Sequence, residues 1–242
     1  MTEVETLRLQ LLRGLRSLGF EENESETNSG DWRVVRAAVV AGLYPYVAHV
    51  VRPKPKFAEG LSGAVQVDNE ARELRYFVRD DTNSGGSSSS RGNLPSATVP
   101  ASQPEWRRRQ QGQRAFLHPS SLLFKECNYS CPYVVFAEQT VQQQNNPQHP
   151  TRLNLAGCSE ASVYALLLFG GGLSVDHQSA CISVDSWIQF RGGSTTVVAM
   201  LQRLREAIDQ LLLRKVEVPR LRIVEDKIAR CVVKLITTDG LG

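Results

Sequence analysis

AGLYPYVAHV, residues 41–50, is where the sequence changes period. Upstream, Leu7, Leu11, Leu15 and Leu18 recur at helical spacing, which predicts an amphipathic helix over 3–18 with Gly19 as its C-cap. An acidic and polar loop over 21–30 follows, and Asp31 is placed to cap a second helix over 33–41 that Gly42 stops. From Tyr46 the apolar residues fall into short runs instead. Residues 47–52, 74–79, 114–118 and 133–139 read as strands separated by Gly, Pro and Asn signals. The pattern is that of two helices leading into a small sandwich or barrel, an α+β chain.

Residues 80–113 do not share this pattern. They contain DDTNSGGSSSSRGN and ATVPASQP, a composition unable to bury apolar surface, and are expected to be a disordered insertion in a hairpin, dispensable to folding. After a polar loop over 142–150, residues 152–156 read as a strand and 160–169 as a helix closed by Gly170, Gly171 and Gly172. Residues 182–190 alternate as a strand does. Ser194 then caps a long helix whose Val197, Val198, Leu201, Leu204, Ile208 and Leu211 share one face, Pro219 ends it, and a last helix is expected over 221–236.

The formal charge of +3 over 242 residues points to no particular partner, but its distribution is uneven. The first 31 residues carry seven acids against three arginines, whereas 32–57 and 106–125 each hold five Lys or Arg and no acid. Those two basic stretches are the candidate nucleic-acid contacts. Five cysteines at irregular spacing, with no signal peptide ahead of them, argue against a secreted disulfide framework and for a reducing, intracellular setting. Cys127 and Cys131 are a close pair, but with no second Cys/His pair nearby they are read as ordinary thiols rather than zinc ligands. The longest apolar stretch, 161–169, is far short of the roughly 20 residues that cross a bilayer, so no membrane association is expected.

Catalysis has little to build on. No Gly-Lys dipeptide occurs, so the phosphate loop of an ATPase is absent, and no acidic magnesium motif accompanies it. Gly170–Gly172 lacks a following Lys and ends a helix, which favours a helix stop over a phosphate cradle. His118 stands near Ser120 and Ser121, yet nothing identifies an orienting carboxylate or an oxyanion hole.

A set of strings in fixed order is more specific: AGLYPYVAHV at 41–50, RAFLHPSSLLF at 114–124, PYVVFAEQT at 132–140, YALLLFGGGLS at 164–174 and ISVDSWIQF at 182–190. Together they resemble the C-terminal OB-fold region of DEAH/RHA-family RNA helicases, closest to the branch of RNA helicase A and the G-quadruplex-resolving members. The resemblance runs from about residue 30 to about 219, interrupted by 80–113. It implies the end of a helical bundle (the ratchet) over 1–45, an OB-fold over 46–190 and a C-terminal helical extension over 191–242. The two motor domains that carry the family's ATPase motifs have no counterpart in these residues, so ATP and magnesium are expected only there and not as cofactors of this chain.

The resemblance also gives individual residues roles. In that family the HPSS loop lies against RNA leaving the motor, which maps here to His118, Pro119, Ser120 and Ser121, with Arg114 beside them. The chemistry suits RNA, since hydroxyls and backbone N–H groups donate to phosphate and an imidazole donates or stacks. The plainer reading is an ST-turn joining two strands. Arg52, Lys54 and Lys56 of RPKPK are either a solvated loop or an extended basic edge suited to a phosphate backbone. Arg107, Arg108 and Arg109 are a further basic cluster. Trp187, in what the resemblance makes a strand against the barrel, reads as core or as an interface with a motor domain rather than as a base-stacking platform. Where the family more often has Asn in the first motif, this chain has Tyr46, which removes any polar contact of that side chain but not the turn at Pro45.

The expected function is therefore single-stranded RNA binding in the service of the parent's motor domains, with no catalysis by this chain itself. The rival is a protein-docking module that positions the motor or receives a regulatory partner.

Overall fold

The computed structural model describes residues 2–20, 27–53, 56–60, 63–67, 71–79, 112–142, 152–176 and 178–240. In chain order these form helices α1 (Thr2–Ser17) and α2 (Trp32–Leu43), strands β1 (Val47–Val51), β2 (Lys56–Gly60), β3 (Gly63–Val67), β4 (Arg75–Val78), β5 (Gln113–Leu117), β6 (Tyr133–Val135), β7 (Glu138–Gln142), β8 (Arg152–Ala156) and β9 (Ser159–Glu160), helix α3 (Val163–Phe169), strands β10 (Leu173–Asp176), β11 (Cys181–Val184) and β12 (Ile188–Arg191), and helices α4 (Thr195–Glu217) and α5 (Lys227–Thr238). The fold is α+β, as expected. Of the expected insertion, only Gly112 and Gln113 fall among the described residues, and of the polar loop over 142–150 only Gln142 does.

Residues 43–161 form one compact unit. Seven of its strands join in the order β7-β8-β5-β4-β1-β6-β9, while β2 and β3 pair only with each other. The ladder is antiparallel from β6 through β1 and β4 to β5, and β8 then runs parallel to β5 and antiparallel to β7. β6 and β7 are consecutive in sequence yet lie near opposite ends of this order, so one bent stretch, 133–142, pairs with β1 on one side and β8 on the other. The sheet thereby closes on itself, with the Greek-key connectivity of an OB barrel. The expected single strand over 133–139 is two strands because Phe136 N–H donates to the Tyr46 carbonyl and Ala137 N–H to the Ala156 carbonyl, each at 3.1 Å, spanning the bend. Alternate residues fill the barrel: Val50, Tyr76, Val78, Ala115, Leu117, Leu153 and Leu155 are all buried.

Residues 1–42 and 162–242 form the other unit. Leu15 and Arg16 carbonyls accept the N–H groups of Phe20 and Gly19 at 3.1 and 3.0 Å, and Gly19 has φ +88°, so α1 ends in the left-handed cap read from the sequence. Asp31 caps α2 through the Arg33 N–H at 2.9 Å, and Ser194 caps α4 through the Val197 N–H at 3.3 Å.

Four sequence readings are corrected. Gly42 lies inside α2, which runs to Leu43 and stops because the Tyr44–Pro45 step supplies no N–H to continue it. Residue 160 begins no helix: Ser159 and Glu160 pair with Val135 and Val134 of β6, and α3 starts only at Val163. Residues 182–190 are not one strand, since Asp185 and Ser186 adopt left-handed φ values of 50° and 59° and fold the segment into the β11–β12 hairpin of a three-stranded sheet. Trp187 thus sits in a turn, half-buried. The last helix begins at Lys227 rather than 221, because Asp226 accepts the Ile228 N–H at 2.7 Å and sets the start there.

Candidate nucleic-acid interface

β5 leaves the barrel at Leu117 and turns at once. His118 N–H donates to the Leu155 carbonyl of β8 at 2.8 Å, and the His118 carbonyl accepts the Ser121 N–H at 2.9 Å, so the HPSS turn is pinned to the sheet at its first residue and closed by its last. His118, Pro119 and Ser120 are exposed. His118 Nδ1 lies 2.6 Å from Ser120 Oγ and accepts the Ser120 N–H at 3.2 Å. Because Nδ1 is an acceptor in this arrangement, the proton of the neutral ring is assigned to Nε2, which is left as the donor toward a ligand.

Ser121 departs from the expectation. It is 8% exposed, and among the described residues its Oγ is buried without a hydrogen bond of ordinary geometry. Its hydroxyl faces the Cys158 thiol, whose pKa is pushed up to about 11 by burial, with the Ser121 interaction opposing part of that rise. The side chain is thus turned inward by the start of the following 3-10 turn, Leu122–Lys125, and is not an RNA-facing hydroxyl. That turn is anchored from below. Tyr129 Oη donates to the Leu123 carbonyl at 3.2 Å and meets Tyr76 Oη at 3.0 Å, and burial raises the pKa of both phenols, most strongly that of Tyr129.

The cations are distributed less simply. Arg114 is exposed on the outer side of β5, its guanidinium 4.9 Å from the Phe116 ring centroid. Arg52 donates through Nη2 to the Tyr129 carbonyl, so this cation is engaged with the chain itself. Lys54 and Arg107, Arg108 and Arg109 lie outside the described residues, and Lys56 opens β2 opposite Val67 rather than extending a loop. Register nonetheless brings the start of RPKPK and the HPSS turn to the same end of the barrel: Val51 pairs with Arg75 at the start of β4, next to the end of β5.

At that end lies a cavity of about 480 Å³ lined by Ala71, Leu74, Tyr76, Phe116, Leu117, Phe124 and Lys125. Leu122 and Phe124 are exposed, at 93% and 44%. Sequence reading did not single out Phe116, Phe124 or Lys125, although RAFL alternation sets Arg114 and Phe116 on one face and carries the signal. Among the described residues no group of three or more His, Cys, Asp or Glu side chains is placed to hold a metal, and all five cysteines are free thiols. In the glycine run, Gly170 N–H donates to the Leu166 carbonyl at 2.9 Å and Gly172 N–H to Asp185 at 2.7 Å, so these two N–H groups are taken up by the chain itself. No described helix is long and apolar enough to cross a membrane.

Residues 35–173, more than half of the chain, match the family described as the oligonucleotide/oligosaccharide-binding (OB)-fold, and 180–238 match the C-terminal domain in RNA helicases. The chain belongs to this C-terminal OB-fold family of DEAH-box RNA helicases. The Mycosarcoma maydis protein UM11114, named for a DEAH-box ATP-dependent helicase, is 26% identical over 243 residues, covering 91% of this chain and 13% of that protein. The mouse ATP-dependent RNA helicase DHX29 is 34% identical over 90 residues, 37% of this chain and 6% of its own length. The human ATP-dependent DNA/RNA helicase DHX36 is 22% identical over 201 residues, 82% of this chain and 15% of its own length. The chain thus spans a small part of the helicases it matches.

Proposed function

We propose that this OB-fold region binds single-stranded RNA and guides it for the ATP-driven motor domains of a DEAH/RHA helicase. One observation carries the reading: an exposed His118–Pro119–Ser120 turn is hydrogen-bonded to β8 at its first residue and presents an imidazole beside a hydroxyl at the end of an OB barrel. Such a turn makes neutral contacts to bases and phosphates, and Lys54, Lys56 and Arg114 add the charge that single-strand binding uses. In this reading residues 1–45 are the end of a helical bundle, the barrel follows, and 191–242 are a helical extension. ATP and magnesium belong to the motor domains, and the protein works inside the cell.

The test is a salt series with a fluorescent single-stranded oligoribonucleotide and the 242-residue chain. Affinity should fall as salt rises, with a log–log slope of about 0.7 per phosphate contact, and Lys54→Gln with Lys56→Gln should flatten it. No ATP hydrolysis should be detected with or without the RNA. Binding that is absent, or insensitive to salt, would reject the reading.

A second reading has its own observation. In the helical unit, Leu12, Leu15 and Phe20 from the α1 end and Ile223, Ala229 and Val233 near α5 line an apolar groove of about 760 Å³. A protein-docking role would use that groove and leave RNA affinity untouched when Leu15→Asp or Val233→Asp is introduced.

A further inference from the structure

The groove of about 760 Å³ in the helical unit has a floor and a rim of different chemistry. The floor is apolar. Leu12 and Leu15 come to it from α1, and Ala229 and Val233, one turn apart, come from α5. α5 already buries Val232 and Ile236. Ala229 and Val233 are half-buried and form a second apolar strip, which the folding of this unit leaves incompletely covered.

The rim is cationic. Arg16, Lys215, Arg230 and Lys234 all line the groove, and among the described residues no Asp or Glu does. Arg230 and Lys234 are exposed at positions i and i+4 of α5, and neither pairs with a carboxylate among the described residues. Arg230 donates to the Glu225 backbone carbonyl at 2.8 Å, which positions the guanidinium without neutralising it. Like charges at that spacing repel along a helix, and an acidic ligand turns this cost into an attraction.

Floor and rim together select the occupant. A nucleic-acid strand would use the cations and lay its polar backbone over an apolar floor. A fatty acid would fill the floor but bring one carboxylate to cations spread over α1, α4 and two turns of α5. A basic helix would be repelled at the rim. An amphipathic helix flanked by acids satisfies both, since its apolar side chains enter the floor while carboxylates one turn apart meet Arg230 and Lys234. The part of α5 that lines the groove, Ala229 to Thr237, is about 12 Å of helix at 1.5 Å per residue, enough for two turns of a partner.

We propose that this groove docks an acidic amphipathic helix of a partner protein, with its apolar face on Leu12, Leu15 and Val233 and its carboxylates on Arg230 and Lys234. The proposal rests on the protein-docking reading of the groove and names the class of partner.

The experiment uses the full chain and a fluorescein-labelled peptide of about 16 residues, with Leu at i, i+3, i+4 and i+7 and Glu at the flanking positions. Two control peptides keep the Leu pattern and replace Glu by Gln or by Lys. Anisotropy at low salt should show the Glu peptide binding at least about tenfold more tightly than the Lys peptide. Arg230→Glu with Lys234→Glu should weaken the Glu peptide about tenfold and strengthen the Lys peptide, an exchange that loss of folding cannot produce. If all three peptides bind alike and Leu15→Asp abolishes all three, the docking reading stands and the acidic class is overturned. If no peptide binds, both fall. If sodium laurate or an oligouridylate binds more tightly than the Glu peptide and loses affinity in the charge-reversed variant, the cations serve a lipid or RNA and the proposal is overturned. Binding that emerges only when Glu21, Glu22, Glu24 and Glu26, which stand in sequence between the groove-lining Phe20 and Thr27, are changed to Gln would show that the chain's own acids hold the rim, and overturns it as well.

Discussion

Ser120 holds His118 Nδ1 twice, through its hydroxyl at 2.6 Å and its N–H at 3.2 Å, so the two side chains act as one unit. Their effects on RNA affinity should therefore be strongly non-additive. His118→Ala is expected to weaken binding about three- to tenfold, the range of one or two net hydrogen bonds, and adding Ser120→Ala should cost little more. A double-mutant cycle by fluorescence titration measures this. Two full, additive losses would show independent contacts and contradict the shared geometry.

Arg205 closes the glycine run after α3. Its Nη1 donates to the Leu167 carbonyl at 2.9 Å, and its Nη2 donates to the Gly170 carbonyl and, at 3.4 Å, to that of Gly171, while Nε faces Asp209 at 3.2 Å. The Leu167 carbonyl is one of those the end of α3 leaves unpaired, and the Gly170 and Gly171 carbonyls follow directly after that end. Arg205→Ala should cost about 2–3 kcal/mol in urea unfolding, and Arg205→Lys should recover only part of it because an ammonium cannot fork to several carbonyls. Asp209→Ala should change stability by less than about 0.5 kcal/mol, since Asp209 is 57% exposed and its pairing is screened. Equal losses at both positions would reassign the stabilisation to the ion pair.

What sequence could reach divides along the range of the interactions. The caps at Asp31 and Ser194 and the stop at Gly19 were legible because each depends on residues within one turn of a helix. The exposed part of HPSS was legible from the resemblance, but that the Ser121 hydroxyl meets the Cys158 thiol, 37 positions away, carries no signal in the motif itself. Arg52 reads as a free cation in the sequence because the Tyr129 carbonyl that it meets lies 77 positions away. The pairing of Arg152 with Phe116 needs the parallel β5–β8 register, which periodicity cannot supply. Glu160 looked helical in the apolar run that follows it, yet its carboxylate accepts from the Ser130 hydroxyl at 2.7 Å and from the Ser130 and Cys131 N–H groups, a role set by strand pairing with β6.

Tyr129 ties the candidate site to the barrel core, since its hydroxyl both meets Tyr76 at 3.0 Å and supports the Leu123 carbonyl just after the HPSS turn. Tyr129→Phe keeps the ring but leaves the Tyr76 hydroxyl and that carbonyl without this partner, which should cost about 1–3 kcal/mol. Its pH dependence is distinctive. Burial raises both phenols above their ordinary value of 10.0, so below pH 10 they are neutral in the folded and unfolded states alike and contribute no slope. Above pH 10 the unfolded chain releases these protons while the folded chain retains them, and stability falls as pH rises. Tyr129→Phe removes the more strongly shifted phenol and should flatten the alkaline limb of a stability profile measured between pH 8 and 11. It should also weaken RNA binding, because Leu123 and the turn before it lose their support. An alkaline limb as steep in the variant as in the parent would show that the decline comes from other groups and that this tyrosine pair is not what resists ionisation.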